Sequence, residues 1–285
     1  MSKRLDCYQC PRRCGGGVCR APSEILLART GLHYGEEPCI SGTRGSGTVF
    51  FAGCNLSCCF CQNYDVSRAR LGRTFTPQEL ADTFRRLEDA GAHNVNLVTP
   101  SHYVDALLAT FALYTPRVPV VYNTSGYDTV DAIDALSPYV SVWLTDLKYC
   151  DPAVSKAYSN APDYFDVAYA ALRAMRAHAP VDTFDAQGLI QTGVICRHLV
   201  LPSHTADSLS VLDAIARIEP RPILALMSQY TPYGDCNRFR NLSRRITTYE
   251  YNKVLAHAEK LGLDGYAQER TSATTDEIPH WGEFI

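Results

Sequence analysis

Six times between residues 47 and 261 a short apolar run gives way to a longer segment whose apolar residues recur every third or fourth position. The runs fall at 47–51, 94–98, 118–122, 140–144, 194–201 and 223–228, and the intervening segments carry one apolar face each, such as Leu80, Phe84 and Leu87 or Leu209, Leu212 and Ile215. Short strand-like runs alternating with helix-period segments read as βα units, and successive βα units join into a parallel sheet through right-handed crossovers. Two helix starts are explicit: Thr76 with Pro77 and Glu79, and Thr247 with Glu250, have capping-box spacing, while Gly91 ends the first of these helices. Six units are two short of a closed eight-stranded barrel, so the predicted fold is α/β, an open partial (β/α)6 barrel. Residues 181–188 break the alternation and are expected to form a surface loop or lid.

A chain of 285 residues can bury a single core of that size. Its formal net charge of -3 argues against an electrostatic nucleic-acid binder, which needs a basic face. No segment approaches the roughly 18 apolar residues of a membrane span, and the charged opening from Met1 to Asp6 is followed by no apolar stretch, so a cytoplasmic protein is expected. In that compartment twelve cysteines read as metal ligands rather than disulfides, and most of them lie before residue 62.

The first predicted strand runs directly into Gly53-Cys54-Asn55-Leu56-Ser57-Cys58-Cys59-Phe60-Cys61-Gln62-Asn63. Cys54, Cys58 and Cys61 follow a C-x3-C-x2-C spacing, and a loop this tight can bring three sulfurs to one point, as a cubane iron–sulfur cluster requires. The fourth iron then lacks a protein ligand, and an open coordination position is where a small molecule binds and reacts. A zinc knuckle or a set of buried thiols is the alternative for the same spacing. Cys59 reads as a small buried filler, not a ligand.

A second group stands ahead of it. Cys7, Cys10, Cys14 and Cys19 form C-x2-C followed by C-x4-C, with Pro11 and three glycines to turn the chain, as in two ligand hairpins facing one zinc ion or one auxiliary iron–sulfur cluster. Cys39 could substitute as a ligand if the chain folds back. The division expected is a cysteine-rich N-terminal extension over 1–42 and a barrel over 43–285. The glycines at 42, 45 and 47 read as turns, because a strand and not a phosphate-binding helix follows them.

In parallel barrels the working residues sit just past the C-terminal ends of the strands. Here each end is polar: Thr99-Pro100-Ser101-His102, Asn123-Thr124-Ser125, Thr145-Asp146-Leu147-Lys148, Arg197-His198 and Ser228-Gln229-Tyr230. Such a ring suits a ligand carrying both charges and hydroxyls. Asp146 and Lys148 alternate on one side of their strand and could equally be a satisfied ion pair.

The three-cysteine spacing with Phe60 before its third cysteine resembles the radical S-adenosylmethionine (SAM) superfamily. The resemblance implies that the open iron chelates the amino and carboxylate groups of SAM, that the reduced [4Fe-4S] cluster cleaves it to a 5'-deoxyadenosyl radical, and that a flavodoxin or ferredoxin supplies the electron. Cys7-Tyr8-Gln9-Cys10-Pro11-Arg12, Phe50-Phe51-Ala52-Gly53-Cys54-Asn55-Leu56, Cys61-Gln62-Asn63, Asn96-Leu97-Val98-Thr99-Pro100-Ser101-His102-Tyr103, Tyr122-Asn123-Thr124-Ser125-Gly126-Tyr127, Arg197-His198-Leu199-Val200-Leu201-Pro202 and Met227-Ser228-Gln229-Tyr230 are similar to the pyruvate formate-lyase activating enzyme-like branch, a cousin of the glycyl-radical activases. In that branch Asp146 and Lys148 would meet the cofactor or a nearby monovalent cation, and Arg197 would reach its polar groups. Phe60, Thr99, Ser101, Asn123, Ser125 and Gln229 complete the cofactor-binding candidates. The Gly-Gly-Glu-Pro motif that receives the cofactor's ammonium in activases is replaced by Thr99-Pro100-Ser101-His102, which leaves backbone carbonyls or the hydroxyls of Thr99 and Ser101 for that role. The implied reaction is hydrogen abstraction from a glycine of a partner glycyl-radical enzyme. Radical modification of a peptide or metabolite is the alternative, and a non-enzymatic metal-stabilised binding protein is a third.

Overall fold

The computed structural model describes residues 7–14, 17–69, 71–268 and 281–285; Met1 to Asp6 and two of the N-terminal glycines, Gly15 and Gly16, lie outside the described residues. The chain enters the sheet before the first βα unit. Strands β1 (Ile25–His33) and β2 (Ser46–Phe51) pair antiparallel, from Leu27 opposite Phe51 to His33 opposite Ser46, and β3 (Arg73–Phe75) pairs antiparallel with β1. The stretch expected to be an extension therefore contains a strand of the main sheet, which the sequence reading omitted.

From β2 onward the alternation holds. Parallel strands β4 (Val95–Val98), β5 (Val120–Thr124) and β6 (Val142–Asp146) follow in register. The short β7 (Thr183–Phe184) turns back antiparallel on β8 (Ile190–Leu199), so part of the expected 181–188 loop is a hairpin arm. The parallel series closes with β9 (Ile223–Met227) and a seventh strand, β10 (Gly265–Ala267), too short to register as a periodic run. The strand order β10-β9-β8-β6-β5-β4-β2-β1-β3 does not close on itself: an open, partial barrel, as predicted.

Two four-residue helices, α1 (Pro38–Ser41) and α2 (Tyr64–Ser67), sit in loops, whereas α3 (Pro77–Asp89), α4 (Val104–Leu113), α5 (Val130–Leu136), α6 (Pro152–Ser159), α7 (Tyr164–His178), α8 (Thr205–Ile215) and α9 (Thr248–Lys260) are the crossovers. Both capping boxes form, with Thr76 and Thr247 accepting from the backbone of Glu79 and Glu250. Alternate strand residues face opposite ways. Tyr122, Trp143, Val194, Cys196 and Leu224 pack under the helices, while Val121, Val142, Leu144, Ile195 and Ala225 point inward and gather around Cys39 and Ile40 of α1. Cys39 thus helps seal the lower end of the barrel and does not join the N-terminal cysteines. Two residues further along the same strands the inward positions turn polar, at Asn123, Asp146 and Arg197.

Candidate active site

The cysteine loop leaves β2 through Gly53, which has φ +87°. A Cβ there would lie 2.6 Å from the Cys19 carbonyl and 3.2 Å from His102 Nε2, so the turn needs glycine on grounds of space as well as conformation. Asn55 Nδ2 donates to the Tyr127 carbonyl at 2.6 Å, and Cys59 N–H donates to the Tyr158 carbonyl at 2.8 Å, fixing both halves of the loop. The result turns Cys54, Cys58 and Cys61 into one cavity. Cys59 faces the other way, fully buried, with its carbonyl accepting from Asp235 N–H.

Each cavity-facing sulfur has a hydrogen-bond partner: Leu56 N–H donates to Cys54 Sγ at 3.4 Å, Ser159 Oγ lies 3.0 Å from Cys58 Sγ, and the Ser67 hydroxyl meets Cys61. Burial, and then the neighbouring sulfurs, push the Cys54 and Cys61 thiols up. Three sulfurs that repel one another when ionised, yet each have a hydrogen-bond partner, suit the thiolate ligands of an iron–sulfur cluster, whose positive irons would remove the repulsion. Lys148 adds to this. Burial works against its charge, but Asp146 and then Cys58 outweigh it and raise its pKa.

The strand ends supply the rest of the cavity, which holds about 340 Å³. Phe60, Thr99, Asn123, Ser125, Asp146, Lys148, Arg197 and Gln229 all line it. Thr99 has φ +61°, an uncommon conformation for a β-branched residue, and its N–H donates to the Asn123 carbonyl at 2.8 Å. Gly126, at φ +82°, lets β6 approach: a Cβ would stand 2.2 Å from the Asp146 carbonyl. Asp146 and Lys148 form an ion pair. Ser101 is the one candidate that does not reach the cavity. It is fully buried, with Oγ 3.1 Å from Thr124 Oγ1, which in turn donates to Asp128.

Two residues that sequence reasoning missed dominate the opposite wall. Between β1 and β2 the chain runs Gly35-Glu36-Glu37-Pro38, and both carboxylates enter the cavity. Arg197 donates through Nε and Nη2 to the two Glu37 oxygens, each at 2.6 Å, and through Nη2 to Glu36. The other Glu36 oxygen accepts from Asn96 and Asn123, both at 3.1 Å. The signal available in the sequence was Arg197 itself, because a guanidinium on an inward strand position demands a carboxylate partner.

The N-terminal cysteines gather behind the loop. Cys7, Cys10 and Cys19 are buried and Cys14 is half-buried; burial pushes the Cys10 thiol up to about 12, with contributions from Cys19, Cys7 and Cys14. Val18 N–H donates to Cys14 Sγ at 3.4 Å. Arg12 locks the segment to the cysteine loop, donating to the carbonyls of Asn55 (2.8 Å) and Asn160 (2.6 Å), with its guanidinium 5.0 Å from the centre of the Tyr127 ring. Among the described residues no three His, Cys, Asp or Glu side chains stand close enough to share a single metal ion.

Residues 48–188, from β2 through the cysteine loop to just past β7, match the radical SAM superfamily. The chain belongs to the radical SAM superfamily. It is therefore an enzyme that uses a [4Fe-4S] cluster and SAM, and the donor set at Cys54, Cys58 and Cys61 fits that cluster. The uncharacterised protein MJ0674 of Methanocaldococcus jannaschii is 30% identical over 275 residues, 91% of this chain and 76% of that protein. The fold is shared with HydG, a maturase of the [FeFe]-hydrogenase, at TM-score 0.52 and 12% identity over 81% of this chain and 53% of that one. A domain of a pyruvate-formate lyase-activating enzyme from Bacteroides vulgatus aligns at TM-score 0.38 and 13% identity, covering 68% of this chain and 91% of that domain. Among the described residues no helix is long and apolar enough to cross a membrane.

Proposed function

We propose that this radical SAM enzyme abstracts a hydrogen atom from a substrate held inside the barrel, between the cysteine loop and the wall made by Glu36, Glu37 and Arg197. The observation that carries the reading is one cavity lined by the three ligand cysteines at one side and by buried charged side chains at the other. When bound, the cluster and SAM supply one-electron cleavage chemistry. This chain's residues would do the rest: Cys54, Cys58 and Cys61 would hold the cluster, Lys148 would offset the negative charge of the thiolates, and Thr99, Asn123, Ser125 and Gln229 would offer polar groups to the cofactor. With Ser101 engaged by Thr124, the Thr99 hydroxyl and nearby backbone carbonyls are left to receive the cofactor's ammonium.

The electron is assigned to a flavodoxin- or ferredoxin-type donor. Between the two substrates the sequence leaves open, a glycine of a partner glycyl-radical enzyme and a smaller molecule, the charged inner wall favours the second, since a glycine offers no side chain for carboxylates or guanidinium to grip. The N-terminal cysteines are assigned a second metal centre. Zinc and an auxiliary iron–sulfur cluster are the two candidates for it, and metal analysis of the anaerobically purified protein distinguishes them. Anaerobic reconstitution followed by reduction with dithionite in the presence of SAM tests the main reading. Formation of 5'-deoxyadenosine and methionine is expected; intact SAM after full cluster loading would refute it.

A further inference from the structure

The inner wall carries more negative charge than it can balance. Glu36, Glu37 and Asp146 face the cavity against two cations, Arg197 and Lys148. Lys148 is committed to Asp146, so one guanidinium serves two glutamates. Of the other titratable groups on this wall, His33 is held neutral by burial, which lowers its pKa and outweighs the pull of Glu36, and Tyr266 is held neutral by burial, which raises its pKa, so neither adds a positive charge. Both glutamate side chains are only 8% exposed, where an uncompensated carboxylate is costly.

Acceptor capacity is in surplus as well. Arg197 donates three of its five N–H groups to the glutamates and one, at 3.3 Å, to Asn123 Oδ1. Each carboxylate can take about four hydrogen bonds; Glu37 receives two and Glu36 three. Beside Glu36, the fully buried Asn96 carries an acceptor, Oδ1, with no partner. An excess of one negative charge together with unused acceptors in a cavity describes a seat for a cation that is also a hydrogen-bond donor.

We propose that Glu36 and Glu37 recognise a protonated amine of the substrate, which makes the substrate a small amine-bearing molecule. This rests on the reading above that a second molecule sits beneath SAM. The cofactor's own ammonium is the competing source of the same chemistry. Geometry separates them: Glu36 and Glu37 enter from the β1–β2 hairpin, beside α1 at the sealed end of the barrel, whereas the ligand cysteines stand past the C-terminal end of β2. Arg197, held by both glutamates, is then a positioning residue that fixes their oxygens.

The test uses the reconstituted full-length protein, titrated calorimetrically with lysine, ornithine and putrescine, with and without saturating SAM. Hexanoate, pentanoate, 1,4-butanediol and the dianion glutarate, none of which carries an amine, serve as counterparts. At least one amine should bind ten-fold or more tightly than its amine-free counterpart, bind together with SAM, and lose ten-fold or more in affinity in Glu37→Gln, with partial recovery in Glu37→Asp. The proposal is overturned if no amine binds, if the amine-free compounds bind as well, or if the amine displaces SAM. Because SAM binding is read in the same preparation, failure of SAM to bind would count against the enzymatic reading, and failure of the amines alone against this inference.

Discussion

The two cysteine groups lie back to back across Gly53, and they differ in what surrounds the sulfur. In front, Cys54, Cys58 and Cys61 face open space, with Lys148 close by and a hydrogen-bond partner for each sulfur. Behind, Cys7, Cys10 and Cys19 are packed away from solvent, and the nearby cation, Arg12, directs its N–H groups to the carbonyls of Asn55, Asn160 and Ser159 rather than to sulfur. On the proposed assignment the same ligand type would build two kinds of site. Three thiolates beside a cavity would leave a coordination position for SAM, whereas four thiolates folded into the protein would leave none, and would only stabilise the loop in front or relay an electron to it.

The strongest way to break this contrast is at the front. Replacing Cys54, Cys58 and Cys61 together by Ala should abolish SAM cleavage and remove about four irons, because each sulfur is a primary ligand; iron analysis and product chromatography read both. Replacing Cys10 and Cys19 by Ala should lower iron from about eight to about four per chain while the front cluster persists. One zinc lost with iron unchanged would identify the rear centre as a zinc clasp instead.

A smaller effect sharpens the comparison at the cavity wall. Arg197→Ala removes the one cation that, among the described residues, pairs with Glu36 and Glu37, and should cost about 3–5 kcal/mol of stability in denaturant unfolding, since two carboxylates are left without a counter-charge in a buried place. SAM affinity should also fall, by roughly ten-fold if Arg197 reaches its polar groups as well.

The smallest effect concerns pH. His198 sits under the Asp146–Lys148 turn, its Nδ1–H donating to the Leu147 carbonyl at 2.8 Å, and burial holds its pKa down at about 4 from an ordinary 6.5. The unfolded chain binds the proton first. Stability is thus fully present above about pH 6.5 and is lost as pH falls toward 4, by about 3 kcal/mol at the lower end. Comparing the unfolding free energy of the native chain and His198→Gln across that range isolates the contribution; parallel curves would show that His198 carries none.

How much of this could be read from the residues alone differs between the two ends of the cavity. The six βα units, both capping boxes and the cysteine loop are local patterns, so a short window of sequence contains the whole signal, and the strands fall within a few residues of where periodicity puts them. The inner wall is not local. Arg197 meets Glu36 and Glu37 across some 160 positions, and that meeting depends on β1 pairing antiparallel with β2 so that the hairpin folds under the barrel. Two adjacent glutamates before a proline read as a solvated turn, because acidic residues are seldom buried. Ser101 fails for a related reason: sequence places it at a strand end, but only the fold reveals that Thr124 and Asp128 already occupy its hydroxyl side.

The central claim is that the front cysteines hold a cluster with one coordination position open to SAM. Low-temperature electron paramagnetic resonance of the anaerobically reduced protein tests it directly. The account expects a [4Fe-4S] signal that changes shape when SAM is added and that is missing from the Cys54, Cys58 and Cys61 variant; a signal identical with and without SAM would contradict it.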